Sequence, residues 1–261
     1  MLADYFTDKR VVIVTSKERV RTAILHQQPD RVPTNFECVS SVMGNLLKRY
    51  DFDNEEQVLQ KFGIDMRGVS PTYIGPELKT YHENGSLIEE NFWGWKNKLH
   101  WTGMEYNSIV CYFPLNELDT VEQLENYRWP SPDWFDYESV KYQCEKYKDK
   151  AIIMGHEGPF QIATFLRSMD KLLIDMALVP DFAHMIYNKM LEFELEYYER
   201  IFIAADGQID ILRTHDDYGT QISLLFSMDM WRDYFKKNTK KLTALAHKYG
   251  AFYQQHSCGA V

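Results

Sequence analysis

From residue 151 onward, short apolar runs alternate with longer amphipathic ones, and this alternation restricts the possible folds more than any other feature. Residues 151–154, 209–213 and 251–255 read as strands, and helix-periodic stretches lie between them. Helices are predicted over 160–167 and 171–177. After Pro180, the residues Phe182, Ile186, Met190, Phe193, Tyr197 and Ile201 recur on one helical stripe that ends before Gly207. A further helix is predicted over 228–249, with Trp231, Phe235, Leu242, Leu245 and Tyr249 on one face and Gly250 as its stop. Strand, helix, strand, helix at this spacing implies βα units and a parallel sheet.

The first half is less regular. Thr15-Ser16-Lys17-Glu18 reads as a capping box before a helix that carries Val20, Ala23 and Ile24 on one face and ends by Pro29. Residues 32–37 and 64–69 read as strands, with helices over 42–48 and 57–62 between them. Gly85, Gly94 and Gly103 punctuate aromatic and β-branched runs up to Pro114, so a β-hairpin insertion is expected over 85–114. Thr120-Val121-Glu122-Gln123 is a second capping box, Trp129-Pro130-Ser131-Pro132 a loop, and 135–147 a helix. The expectation is one domain whose five parallel strands are neighbours in chain order.

The predicted strands end in reactive residues: Glu37-Cys38, His156-Glu157, His215-Asp216-Asp217, and His256-Ser257-Cys258. In a β/α barrel the active site lies at the C-terminal ends of the strands. Glu37, His156, Asp216, Asp217, His256 and Cys258 are therefore expected to converge on one cleft. Zinc takes nitrogen and sulfur ligands, and residues i and i+2 of a strand share a side, so His256 and Cys258 make half of a zinc site. A buried cysteine beside a hydrogen-bonded histidine would leave the same trace. His156 could equally be a structural histidine, and Asp216 or Asp217 a cap for the next helical turn. Glu37 is a candidate further ligand or proton acceptor, while Asp216 and Asp217 are candidates for orienting substrate or holding the histidine.

Composition narrows the function. The formal charge is −9, without long like-charge blocks, which argues against nucleic acid and anionic membrane surfaces. No apolar run approaches the roughly 18 residues that span a bilayer, and no secretory apolar core opens the chain. Four scattered cysteines suit free thiols, and the cytoplasm is the expected compartment.

Several stretches resemble, in order, the uroporphyrinogen decarboxylase superfamily. They are Glu18-Arg19-Val20 through Asp30-Arg31-Val32-Pro33, Phe62-Gly63-Ile64-Asp65, Trp129-Pro130, Asp216-Asp217-Tyr218-Gly219-Thr220-Gln221 and His256-Ser257-Cys258-Gly259. The resemblance implies a (β/α)8 TIM barrel. It also implies either the decarboxylase itself or the zinc methyltransferases that work with corrinoid (cobalamin) proteins, of the methylcobalamin:coenzyme M methyltransferase kind. The decarboxylase carries Arg-Gln-Ala-Gly-Arg after its first strand, where this chain has Glu37-Cys38-Val39-Ser40-Ser41. Ser70 and Phe165 stand where the decarboxylase has aspartate and tyrosine. An octa-anion facing Glu37 without the arginine clamp would be repelled.

The methyltransferase branch uses the His-x-Cys pair as two zinc ligands and a later cysteine as the third. The resemblance thus implies Zn2+, a corrinoid protein as partner, and a methylated small substrate or thiol acceptor. Tyr218 and Gln221 become candidate cofactor-binding residues, although Gln221 would also serve as a loop hydrogen-bonder. A non-catalytic member that holds a corrinoid or small ligand is the remaining alternative. About five strands are countable against the eight of a barrel, so the barrel is expected to be truncated, with the third cysteine beyond Val261. A homodimer contact is one way to cover the exposed sheet edge.

Overall fold

The computed structural model describes residues 14–103 and 106–261. Its spine is a parallel sheet of four strands, Met66–Gly68, Ala151–Glu157, Ile211–His215 and Phe252–His256, adjacent in chain order. The register is continuous: Met66 faces Ala151, Ile153 faces Ile211, and Ile211 faces Phe252. These four pair as the alternation predicts. The sheet is open, and a complete barrel is not seen among the described residues.

The expected first strand, 32–37, does not form. The segment takes no regular structure, and the Asp65 amide, just before the first strand of the sheet, donates to the Thr34 carbonyl at 3.0 Å. Pro33 has no N–H to give a ladder. The Thr34 amide is instead taken by the Asp65 carboxylate, at 2.9 Å.

One face of the sheet is covered by the Pro180–Ala205 helix. Pro180 starts it, where a missing N–H costs nothing, and Asp206, with φ at 47°, ends it in the left-handed conformation just before Gly207. All six residues of the predicted stripe are buried there, in one core with Ile152, Met154 and Leu212 from the strands. Each such side chain contributes about 1.5–3 kcal/mol through burial.

The other face is closed at its lower end by the Ser16–Ile24 helix, which carries the predicted Thr15/Glu18 capping box. Val20 packs there on Ala151, Ile153 and Ile211. Two aspartates fasten this helix. Asp65, fully buried, accepts from Ser16 Oγ at 2.8 Å, from Arg19 at 2.7 Å and from both Arg31 terminal nitrogens. Asp210, just before the third strand, holds Lys17 and Arg21 at 3.2 and 3.1 Å and accepts the Ile152 amide.

The insertion is a four-stranded antiparallel meander, Thr80–Glu83, Ser86–Glu90, Lys96–Trp101 and Tyr106–Tyr112. It starts before the expected residue 85. Asn84 and Gly85 both take positive φ, at 49° and 78°, and form the tight turn between its first two strands, so Gly85 lies inside the sheet rather than at its edge. Met104 and Glu105, within the expected insertion, lie outside the described residues. Trp93 and Trp95 join the meander to the core, Trp93 meeting Phe193 at 4.9 Å between ring centroids.

Two predicted helices are shorter or broken. The 135–147 segment is helical over Glu138–Lys146, because Phe135–Asp136 pairs with Thr72–Tyr73. The 228–249 helix is two, Met228–Tyr234 and Lys236–Lys248. They are separated at Phe235, whose ring is buried among Phe160, Tyr187, Tyr218 and Phe226. Among the described residues no helix is long and apolar enough to cross a membrane, and the four cysteines are free.

Candidate metal and substrate site

Strand alternation sends every second residue to the face opposite the long helix. The register puts Glu157, His215 and His256 side by side in one row across three strands, at their C-terminal ends. Arg213 and Gln254 stand one row lower, beside Gly155. These side chains line a cleft of about 440 Å³ together with Glu37, Gln161, Phe165 and Asp217.

At the rim of this cleft three donors converge. Cys258 Sγ lies 3.3 Å from His256 Nε2, and Asp217 Oδ1 lies 3.6 Å from the same nitrogen. The ligand atoms of all three residues, each exposed, fall within 4.8 Å of one another. No other group of three or more acid, histidine and cysteine ligands is so close among the described residues. Tetrahedral zinc bound by nitrogen, oxygen and sulfur at about 2.0–2.3 Å would separate its ligands by about 3.3–3.6 Å. The chemistry of the set also fits a cation. A hydrogen bond to Asp217 and that residue's negative charge push the Cys258 thiol up from its ordinary pKa. Ionised, the thiol and carboxylate repel each other, and a dication removes that conflict.

The main chain holds the cluster. The loops after the last two strands are laced together by bonds from the Asp216 amide to the His256 carbonyl, from the Tyr218 amide to Ser257 Oγ, and from the Ala260 amide to the Thr220 carbonyl. The Cys258 amide donates to Asp217 Oδ1 at 2.9 Å. Gly259, with φ at 90°, makes the close approach possible: a Cβ there would come within 2.6 Å of the Gly219 and Thr220 backbone.

The remaining sequence candidates divide. Glu37 reaches the cleft but stands outside the donor cluster, paired with Arg213 at 2.5 Å and accepting from Asn35 at 2.9 Å. Burial would raise its carboxyl, but Arg213 and Asn35 hold it below the usual carboxylate range. His156 does not join the cleft. It points to the helix face, its ring 5.2 Å from that of Tyr198, and burial lowers its pKa. Asp216 is fully buried, and burial pushes its carboxyl up to about 6. It accepts from the Gln161 amide, the Tyr218 hydroxyl and the Gln255 amide group, so it caps the Pro159–Leu166 helix from a neighbouring strand end. Tyr218 is buried by that bond and by Phe160, Phe226 and Phe235, away from the cleft. Gln221 is exposed on the turn beyond it and does not line the cleft.

Glu157, Arg213, His215 and Gln254 were not among the predicted site residues. Once the register is known, alternation selects all four. The third donor is Asp217, expected as an orienting residue.

Among solved structures, the fold resembles that of a methyltransferase from Methanosarcina mazei. The two are 18% identical, with a TM-score of 0.54, and the match covers 94% of this chain and 70% of that one. At this identity the likeness is one of fold. No family model matches the sequence, and no curated protein matches it.

Proposed function

We propose that this chain is a zinc-dependent methyltransferase of the uroporphyrinogen decarboxylase-like superfamily. It would move a methyl group between a corrinoid carried on a partner protein and a thiol or methylated small substrate, in the cytoplasm. The observation that carries this reading is the Asp217–His256–Cys258 cluster at the C-terminal strand ends, with its ligand-like spacing. Likeness in fold to a methyltransferase supports it independently.

Asp217, His256 and Cys258 would hold the zinc, which when bound supplies Lewis acidity that favours the ionised form of a substrate thiol. The other residues prepare the ground. The sheet register fixes His256 against His215, whose ring centroid lies 5.4 Å away. Arg213 and Glu37 neutralise each other in the cleft wall. Gln161 and Gln254 offer amide groups to orient a polar substrate, and Phe165 gives one side an apolar surface that excludes water. The decarboxylase reading gains nothing from this arrangement. Glu37, Glu157 and Asp217 present carboxylates to the cleft, and its arginine is already engaged, so a substrate with many carboxylates is repelled.

Elemental analysis tests the metal. About one zinc per chain is expected in the wild type, and far less in Cys258→Ala. Methyl transfer from methylcobalamin to a thiol should fall with the zinc. Unchanged zinc content in Cys258→Ala would sink the assignment.

A further inference from the structure

A second chamber, of about 640 Å³, opens beside the cleft and shares Glu157, Gln161 and Phe165 with it. Its far wall is the antiparallel meander, which contributes Asn97, Ser108, Ile109 and Val110; Trp95 precedes the third meander strand and Phe113 follows the last. The Trp95 and Phe165 rings meet at 5.1 Å between centroids. Among the described residues that line this chamber, Glu157 is the one charged group, and its carboxylate makes no hydrogen bond or ion pair.

The charges of the joined space do not cancel without a further cation. Arg213 answers Glu37. A zinc ion would answer Asp217 and ionised Cys258. Glu157, exposed where the two spaces join, is then left without a cationic partner, and Trp95, Phe113 and Phe165 are among the residues that line the chamber beside it. A desolvated ammonium is stabilised both by a carboxylate and by aromatic faces within about 6 Å. An anion in the same place would be repelled, and a neutral apolar group would leave Glu157 desolvated without a partner. The volume suits a small organic molecule.

We propose that this chamber is the subsite for an organic cation, a methylated ammonium group on the substrate, neutralised by Glu157 and flanked by Trp95, Phe113 and Phe165. That the cation belongs to a substrate rests on the methyl-transfer reading above; that the chamber binds a cation does not.

Choline and 3,3-dimethyl-1-butanol, of the same shape but without charge, are the probes. Each is titrated into the full chain by calorimetry, with zinc and after chelation. Choline is expected to bind about tenfold tighter or more. Glu157→Gln should bring the two probes level while zinc stoichiometry stays at the wild-type value. Phe165→Leu should weaken choline by a smaller factor. Equal binding of both probes by the wild type overturns the proposal, and so does a choline preference that survives in Glu157→Gln. Loss of zinc together with the preference in Glu157→Gln would place Glu157 in the metal site and also overturn it. A choline preference in a wild-type protein that holds no zinc would sustain the cation subsite and refute the metal reading instead.

Discussion

Asp65 and Asp217 both stand at ends of the same parallel sheet, yet their surroundings have little in common. Asp65, at the N-terminal end, is fully buried, and two arginines, a serine hydroxyl and a backbone amide meet its oxygens. Asp217, at the C-terminal end, is exposed and faces the Cys258 thiol and the His256 imidazole, with no lysine or arginine among the described residues paired to it. Asp210 repeats the first pattern and Glu157 the second. One end uses its acids to fasten a helix to the sheet. The other pairs Glu37 with Arg213 and seals Asp216 under a helix, but leaves Asp217 and Glu157 without a lysine or arginine, which suits binding rather than stability.

The comparison breaks most visibly if Asp65 proves dispensable. Asp65→Ala would leave Arg19 buried beside no carboxylate but Asp30, and is expected to cost about 3–5 kcal/mol in urea unfolding. A loss below about 1 kcal/mol would put Asp65 in the class of surface pairs.

Acid sharpens the same point. Burial alone would raise the Asp65 carboxyl, but hydrogen bonds from Arg31, the Thr34 amide, Ser16 and Arg19 hold it at about 2, against an ordinary 3.8. Its ionised form is favoured by folding. The contribution, about 2 kcal/mol, is therefore complete above pH 3.8 and disappears as the pH falls through about 2. Unfolding free energies measured between pH 5 and pH 2 should converge for wild type and Asp65→Asn at the acid end. Parallel curves would refute the assignment.

At the other end the expected effect is on binding. Asp217→Asn keeps the shape but removes the charge, and should weaken zinc about tenfold or more in a competitive chelator titration, with little change in the stability of the metal-free protein. A large loss of stability without metal would erase the contrast. The smallest effect is expected from Glu37→Gln. Its pair with Arg213 is more than half exposed on the glutamate side, so thermal unfolding should register about 1 kcal/mol or less.

The sequence showed which strands would exist more readily than which way their side chains would point. The Ala151–Glu157 strand begins with four residues all buried, two against the long helix and two against the Ser16–Ile24 helix side, so its alternation is hidden in a uniform apolar run. Choosing His156 over Glu157 at its end is a choice of phase that only the register with Arg213 and His215 decides. Adjacent Asp216 and Asp217 pose the same difficulty: one is sealed under a helix N-terminus, the other is exposed at the cluster. The missing strand at 32–37 has a long-range cause. The carboxylate that claims the Thr34 amide lies 31 residues away. By contrast, the capping boxes and the long helix are local, and were legible from a few residues each.

The contact between Gly219 and Gly259 has a consequence for which ion the cluster can take. The loops are joined by the close Gly219–Gly259 approach and by the Cys258 amide on Asp217 Oδ1, so the backbones that carry Asp217 and Cys258 are held beside each other while their side chains are exposed. Under the proposed zinc reading, a set of three donors that includes a thiol and an imidazole selects its ion by ligand number and softness. Calcium, which prefers six to eight oxygens at about 2.3–2.6 Å, finds too few ligands of the wrong kind, and magnesium has no octahedron to complete.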